Sequence, residues 1–415
     1  MTLGDGLHRA AQWALVIVFL AFPLSLAVAN LALVLTLALW LASLVSPVAR
    51  AQCLAALRNP MAAPALALFG WVLLATAWSP VPATGALAMA LKYLKLGLVP
   101  MFLALLQTPW VRRRCWQAFG LALMFTLVVT WLNVWFDFSW TRTHNQGFGV
   151  DHTVVKDYIS QGVMMCVFAS MCAFVAVTHV RRRVRIAALV VWLLASVSVL
   201  ALLQGRTGYL AWAVSTAAFL ISLGLARSLG RGLLAAVGVA ALFALVVTAS
   251  PLLQERATTA LSEANTADGT TITSIGARLS MARLVLELAP DALWLGHGTG
   301  AYPVQAEKVF TDKDFCDVAC PHPHNQFLFF LFDQGLVGLV LFLWFIAAMA
   351  RSSWRASPQR RALGLAFTGT LCAACVSHSS LWLSTESHCL ILMGALVMAS
   401  LGPQRARPGS AVIAA

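Results

Sequence analysis

The sequence predicts an all-α polytopic membrane protein, with about 12 transmembrane helices interrupted by one large polar excursion. Three observations carry this expectation. Hydrophobic residues make up 60% of the chain and charged residues only 10%, against roughly 25% charged in ordinary soluble domains. Mean hydropathy is +0.82. Apolar runs long enough to cross a ~30 Å hydrocarbon core at about 1.5 Å per residue recur along most of the chain, and the only long gap lies between Ser250 and His324.

In order, the runs occupy 11 to 28, 31 to 46, 62 to 78, 84 to 107, 116 to 137, 157 to 178, 186 to 204, 208 to 225, 232 to 249, 324 to 350, 361 to 377 and 386 to 401. A hairpin at Ala29-Asn30 is expected to join the first two. Lys92 and Lys95 interrupt the fourth run, where a charge costs ~2.5 to 3.5 kcal/mol on insertion scales and normally faces a cavity or a partner. The even count places both termini on one side, and the basic residues say which. With the amino terminus cytoplasmic, inner loops collect eighteen of the 28 Lys and Arg, including Arg112 to Arg114 and Arg181 to Arg183. Retained basic residues mark cytoplasmic loops, so the opposite orientation, which would translocate those arginine runs, is rejected. The net charge of +13 is then explained by an anionic inner leaflet rather than by nucleic acid. The expected organisation is 1–249 with nine helices, 250–323 as a large periplasmic loop carrying an amphipathic helix, 324–401 with three helices, and 402–415 as a cytoplasmic tail.

The polar residues assigned to the outer face are the candidates for chemistry. Arg206 lies in a very short turn between the seventh and eighth runs, between Gly205 and Thr207-Gly208. An arginine there can snorkel to water. Its planar fork also suits phosphate oxygens, and the flanking glycines let backbone approach a ligand, which favours an anion site. Arg278 begins a segment with apolar residues at 279, 281, 284, 285 and 288, the spacing of an amphipathic helix expected to lie on the membrane surface. Near that helix's start, Arg278 is either a solvated face residue or a phosphate ligand aided by the helix dipole. Lys92, towards the outer end of its run, is a further contact for an anionic lipid.

His324 follows Pro321-His322-Pro323 and opens an apolar run. An interfacial imidazole titrates near neutrality and can take a proton from an attacking hydroxyl. His322 competes for that role. Cys316 and Cys320 are close enough to bridge in an oxidising compartment and so brace the approach to His324. Two further motifs are set aside. Asp312-Lys313-Asp314 has the look of a metal-dependent nucleotide-sugar transferase, but nucleotide sugars are cytoplasmic and this segment is assigned outside. Gly296-His297-Gly298-Thr299-Gly300 lacks the strand and helix of a dinucleotide fold and is expected to be a flexible turn lining a substrate path. No metal and no cofactor is required.

The string His324-Asn325, nine residues, Gly335, two residues, Gly338 resembles the signature of the O-antigen ligase family. Arg206 with Leu210 resembles the family's arginine, three residues, leucine element, Arg278 occupies the expected place in the large loop, and the 296–300 glycines resemble a stretch common in the wider ligase and polymerase superfamily. The resemblance spans roughly 190 to 400 and implies a membrane glycosyltransferase of GT-C-like architecture in a Gram-negative inner membrane. It implies transfer of an O-antigen polysaccharide from undecaprenyl diphosphate to a sugar hydroxyl of lipid A-core at the periplasmic face. Arg206 and Arg278 would hold the diphosphate with Lys92 and Asn325 as further contacts, and His324 would be the base. With no carboxylate pair at hand a covalent glycosyl-enzyme is disfavoured, and direct attack inverts the anomeric carbon. Protein O-oligosaccharyltransferases and O-antigen polymerases share these motifs and differ in acceptor; Gln326, where the protein-modifying branch is expected to carry an acidic residue, favours the lipid ligase. A lipid-linked sugar transporter is the alternative from another class, although the paired broken halves expected of one are not visible.

Overall fold

Helices form nearly all the regular structure of the protein, a computed structural model of which describes residues 2–249, 254, 258 and 274–402. Most of 250–273, with Arg256, and the expected tail beyond Gly402 lie outside the described residues. Helices α1 (Leu3–Ala21) and α2 (Leu26–Ser43) pack along one another. The chain reverses between them at 22–25, where Pro23 cannot extend a helical ladder and the Ser25 hydroxyl caps α2 by accepting from the Val28 amide at 3.4 Å. The hairpin expected at Ala29-Asn30 is corrected accordingly, since both residues are inside α2. Helix α3 (Pro47–Leu57) occupies what was expected to be a loop and meets α4 (Ala62–Leu74, continued by a 3₁₀ turn to Trp78) at 84°.

The fourth expected span arrives in pieces, α5 (Ala83–Leu91), α6 (Leu94–Gly97) and α7 (Val99–Leu105). Pro100 fits only in the first turn of a new helix, because it has no N–H to give. Then follow α8 (Pro109–Leu132), α9 (Arg142–Gln146), α10 (Tyr158–Thr178), α11 (Arg182–Val197, ending in a π-helical turn), α12 (Arg206–Leu225) and α13 (Leu229–Ala249). The excursion contributes α14 (Ser274–Leu288), α15 (Ala301–Val309) and α16 (Lys313–Ala319), and the chain closes with α17 (Gln326–Trp354), α18 (Pro358–Ser377) and α19 (Ser384–Ser400). Among the described residues, 6 helices are long and apolar enough to cross a membrane, or 7 if α3 and α4 form one bent span. The other expected spans fall on helices that are broken, carry charges in their opening turns, or are short, such as α19 with 17 residues.

One continuous cluster of buried side chains runs from Ala11 to Leu401 and takes in the excursion through Ala277, Met281, Leu284, Val285, Tyr302 and Phe315. The apolar face of α14, expected to rest on the membrane, is therefore covered by protein.

Helix α17 is broken at Gly335, whose φ of 66° and ψ of −166° lie in a region open essentially to glycine. A broken ladder inside an apolar layer must be repaired by neighbouring groups, and here the 293–300 segment repairs it. The Phe332 and Asp333 carbonyls accept from the His297 and Gly298 amides at 2.9 Å each, and Leu336 N donates to the Leu293 carbonyl at 2.8 Å. The Asp333 carboxylate reaches across to the Gly300 amide at 2.7 Å and the Tyr302 amide at 3.0 Å. Trp71 Nε1 donates to the Gln334 carbonyl at 3.0 Å. At Gly296 an added Cβ would lie 2.5 Å from the Asp333 carbonyl oxygen. The glycines at 296 to 300 are not the flexible turn expected from composition; they allow a backbone splice at van der Waals limits.

Candidate active site at the head of α17

The Asn325 side chain caps α17, its Oδ1 accepting from the Phe327 amide at 2.9 Å and the Leu328 amide at 3.1 Å. Capping is the occupation that geometry gives Asn325. One residue earlier His324 has φ of +48°, the one positive φ outside glycine among the described residues. A histidine held there is strained, a condition concentrated at functional sites. The His324 amide donates to His322 Nδ1 at 3.3 Å, and His324 Nε2 lies 3.2 Å from the Val318 carbonyl. Since a carbonyl only accepts, Nε2 carries the proton and Nδ1 keeps the lone pair. Val318 belongs to α16, which the Cys316–Cys320 disulfide ties at its end. Asp312 caps the same helix by accepting from the Phe315 amide at 2.8 Å, so half of the Asp312-Lys313-Asp314 motif already has a structural duty.

Around His324 the fold gathers residues from three stretches of chain, 92–93, 322–326 and 378–386. His322 and His378 place their rings 4.2 and 4.9 Å from that of His324, centroid to centroid. Trp382 lies 5.0 Å from the His322 ring, and Lys92 Nζ stands 3.3 Å over the Trp382 ring, a cation–π contact. Gln326, wholly buried, fastens these parts together. Its Nε2 donates to Tyr93 Oη at 3.1 Å, and its Oε1 accepts from the Leu381 and Trp382 amides at 3.0 and 3.3 Å. Behind His378, Nδ1 faces Glu386 Oε1 at 3.5 Å, with both side chains nearly inaccessible.

Burial and neighbouring charge keep the His324 and His322 imidazoles neutral. Burial first, then the neighbouring His378, and then the Arg278 guanidinium push His324 down to about 4, opposed by its bond to Val318. His322 falls to about 2 through burial, with His324, His378 and Lys92 adding to the effect. Arg278 is thus within electrostatic reach of His324, and Lys92 of His322. Arg206 approaches by a longer route. The preceding Gly205 abuts Tyr158, so that an added Cβ would lie 3.0 Å from the Tyr158 carbonyl oxygen. Lys156, two residues before Tyr158, feels the charge of Glu386. Among the predicted site residues, His324, Arg278 and Lys92 are brought together, Asn325 is adjacent as a cap, and Arg206 stands on a neighbouring element. Lys95 lies on α6 and acts electrostatically on the buried His388 rather than on His324.

Sequence reasoning missed His378, Trp382 and Glu386. A signal was present: 378–385, read as a connection between the last two runs, alternation assigns to the same face as His324. Residues 190–343 match the O-antigen ligase family model, a stretch that includes Arg206, Arg278, His324, Gly335 and Gly338 and stops short of His378. A search of curated proteins gives no match.

Proposed function

With residues 190–343 matching the O-antigen ligase family model, we propose that this chain belongs to that family and transfers an O-antigen polysaccharide from undecaprenyl diphosphate to a sugar hydroxyl of lipid A-core. The proposed setting is the periplasmic face of a bacterial inner membrane, with about twelve crossings and both termini cytoplasmic. The observation that carries this reading is the strained His324, its lone pair on Nδ1, with the Arg278 cation in electrostatic reach of it and Lys92 in reach of the adjacent His322. Support for the sidedness comes from consistency. The ends that strict alternation assigns to one face, at Trp78, Lys92, Lys156, His324 and His378, are those that the fold brings near one another.

In the proposed reaction, His324 Nδ1 removes the proton of the acceptor hydroxyl. The oxygen forms a bond to the anomeric carbon while the bond from that carbon to the diphosphate oxygen breaks, and the electron pair leaves on the diphosphate. Attack from the opposite side inverts the centre. Arg278, Lys92 and Arg206 stabilise the charge growing on the leaving diphosphate, the kind of preorganised electrostatics that supplies much of enzymatic rate. The leaving group departs as an anion and requires neither a general acid nor a metal ion. A low-lying imidazole is a weak base, but the arriving donor brings negative charge beside it, which raises its proton affinity at the moment of use.

Reconstitution of the protein with undecaprenyl-linked glycan and lipid A-core tests the reading. The expected result is undecaprenyl diphosphate released in step with a glycosylated acceptor. Lipid movement without bond cleavage would replace the ligase with a transporter, and product found only on protein or on a longer lipid-linked glycan would reassign the acceptor. His324→Asn, whose side chain tolerates the left-handed backbone, is expected to abolish transfer while donor still binds; full activity in that variant removes the base.

A further inference from the structure

His322, His324 and His378 each offer one imidazole nitrogen, and these atoms all lie within 4.8 Å of one another. A proton-transfer role needs one imidazole. Three imidazole rings converging from two separate stretches of chain, beside the start of α17, are the donor set of a transition-metal site, since imidazole suits zinc, copper and nickel. We propose that this cluster binds a divalent cation of the zinc class, and that the bound ion takes the lone pair of His324 and thereby silences transfer; the second part rests on the assignment of His324 as base.

Three histidines with a fourth position open to water form a known zinc arrangement, with metal–nitrogen distances of about 2.0 to 2.1 Å. Tetrahedral geometry then sets nitrogen partners about 3.4 Å apart, so the widest separation here closes by roughly 1.4 Å, within reach of rotation about the two side-chain torsions of each imidazole. The tautomer of His324 already suits ligation. Val318 holds His324 with its proton on Nε2 and Nδ1 free to coordinate. At His322 the lone pair on Nδ1 accepts from the His324 amide at 3.3 Å, so ligation by this ring gives up that bond, either by turning the Nδ1 lone pair to the ion or by moving the proton to Nδ1 and freeing Nε2. At His378 the carboxylate of Glu386 lies 3.5 Å from Nδ1, and a proton held on Nδ1 facing that carboxylate leaves the lone pair on Nε2; a carboxylate behind a ligating histidine recurs in metal sites, where losing it costs about 10- to 100-fold in affinity. Two neighbouring cations oppose the ion, Lys92 beside His322 and Arg278 beside His324. Zinc is therefore expected to bind reversibly, more weakly than at a structural site, and to compete with the arrival of donor.

The test uses full-length protein in detergent or nanodiscs, with Co²⁺ as spectroscopic probe and Zn²⁺ in calorimetry. Expected are one Co²⁺ per chain with the intense visible bands of tetrahedral coordination, displacement by Zn²⁺, and loss of the bands in His378→Ala. Glu386→Gln, which leaves all three ligands in place, is expected to weaken binding about 10- to 100-fold. In the transfer assay Zn²⁺ should inhibit wild type, and chelator should restore it. No specific Co²⁺ or Zn²⁺ binding to folded wild type, or equal binding in His378→Ala and Glu386→Gln, overturns the site. Binding that depends on these residues while transfer runs undiminished overturns the silencing, and with it the base assignment of His324, but leaves the cation site standing.

Discussion

Replacing Gly335 with alanine should cost the protein more than any contact visible at that position suggests. The backbone there, at φ 66° and ψ −166°, is essentially closed to residues with a side chain, a cost of about 1 to 3 kcal/mol. The new Cβ would also meet the Trp294 carbonyl carbon at 2.6 Å, together with the Gly296 amide nitrogen. The 293–300 segment must then retreat, and it holds α17 through the His297–Phe332, Gly298–Asp333 and Leu336–Leu293 hydrogen bonds. Losing two of the three adds roughly 2 kcal/mol at about 1 kcal/mol each, for a total of about 3 to 5 kcal/mol. Gly70→Ala is the control, because an added Cβ there meets nothing within 4 Å, and alanine within a helix is favoured by about 0.5 to 1 kcal/mol. Thermal unfolding in detergent should show Gly335→Ala several degrees below wild type and Gly70→Ala level with it or above. Equal melting of Gly335→Ala and wild type would refute the account of the splice.

The remaining predictions concern the site. With His324 lowered to about 4 in the free protein, the base is already deprotonated at neutral pH. The kcat/KM profile should therefore stay flat from pH 8 down to about 5.5 and fall only as pH drops through about 4; an acid limb near 6.5 would show that burial and neighbouring charge do not govern this imidazole. Arg278→Ala and Arg206→Ala each remove one charge-assisted partner of the proposed diphosphate, worth about 1.5 to 3 kcal/mol, so donor kcat/KM should fall roughly 10- to 150-fold with acceptor KM little changed. Unchanged donor kinetics in either variant would return that arginine to an ordinary surface role. Excess chelator should leave transfer intact or raise it; loss restored by a divalent ion would bring Asp312 and Asp314 back as ligands.

Much of the fold was legible because membrane insertion imposes a one-dimensional code. Runs of apolar residues and flanking arginines lie in sequence order, and α8, α10, α12 and α17 fall where those runs predict. The code fails where polarity and length conflict with backbone geometry. Pro23 moved the first turn by several residues, and the fourth run broke up around Lys92, Tyr93 and Pro100. For the site, His324 was legible through the spacing to Gly335 and Gly338, and Lys92 through the expense of a charge in an apolar run. His378 and Gln326 were not, because their importance lies in pairings across 54 to 56 residues that no local pattern records, and Glu386 matters only through His378. The glycines at 296 to 300 misled for the same reason: composition reports freedom of the isolated segment, whereas the partner that removes it lies at 332 to 336.

The site joins Lys92 to His378 and Glu386, so its parts enter the membrane at opposite ends of synthesis. A ribosome emits Lys92 early and the last two helices late, and Gln326 cannot fasten Tyr93 to Leu381 and Trp382 until both ends are present. A nascent chain halted anywhere before α18 is complete lacks the third imidazole and the carboxylate behind it. Competence should thus switch on once, at the end of insertion, and half-made chains should neither consume the costly lipid-linked sugar nor trap metal at an incomplete site.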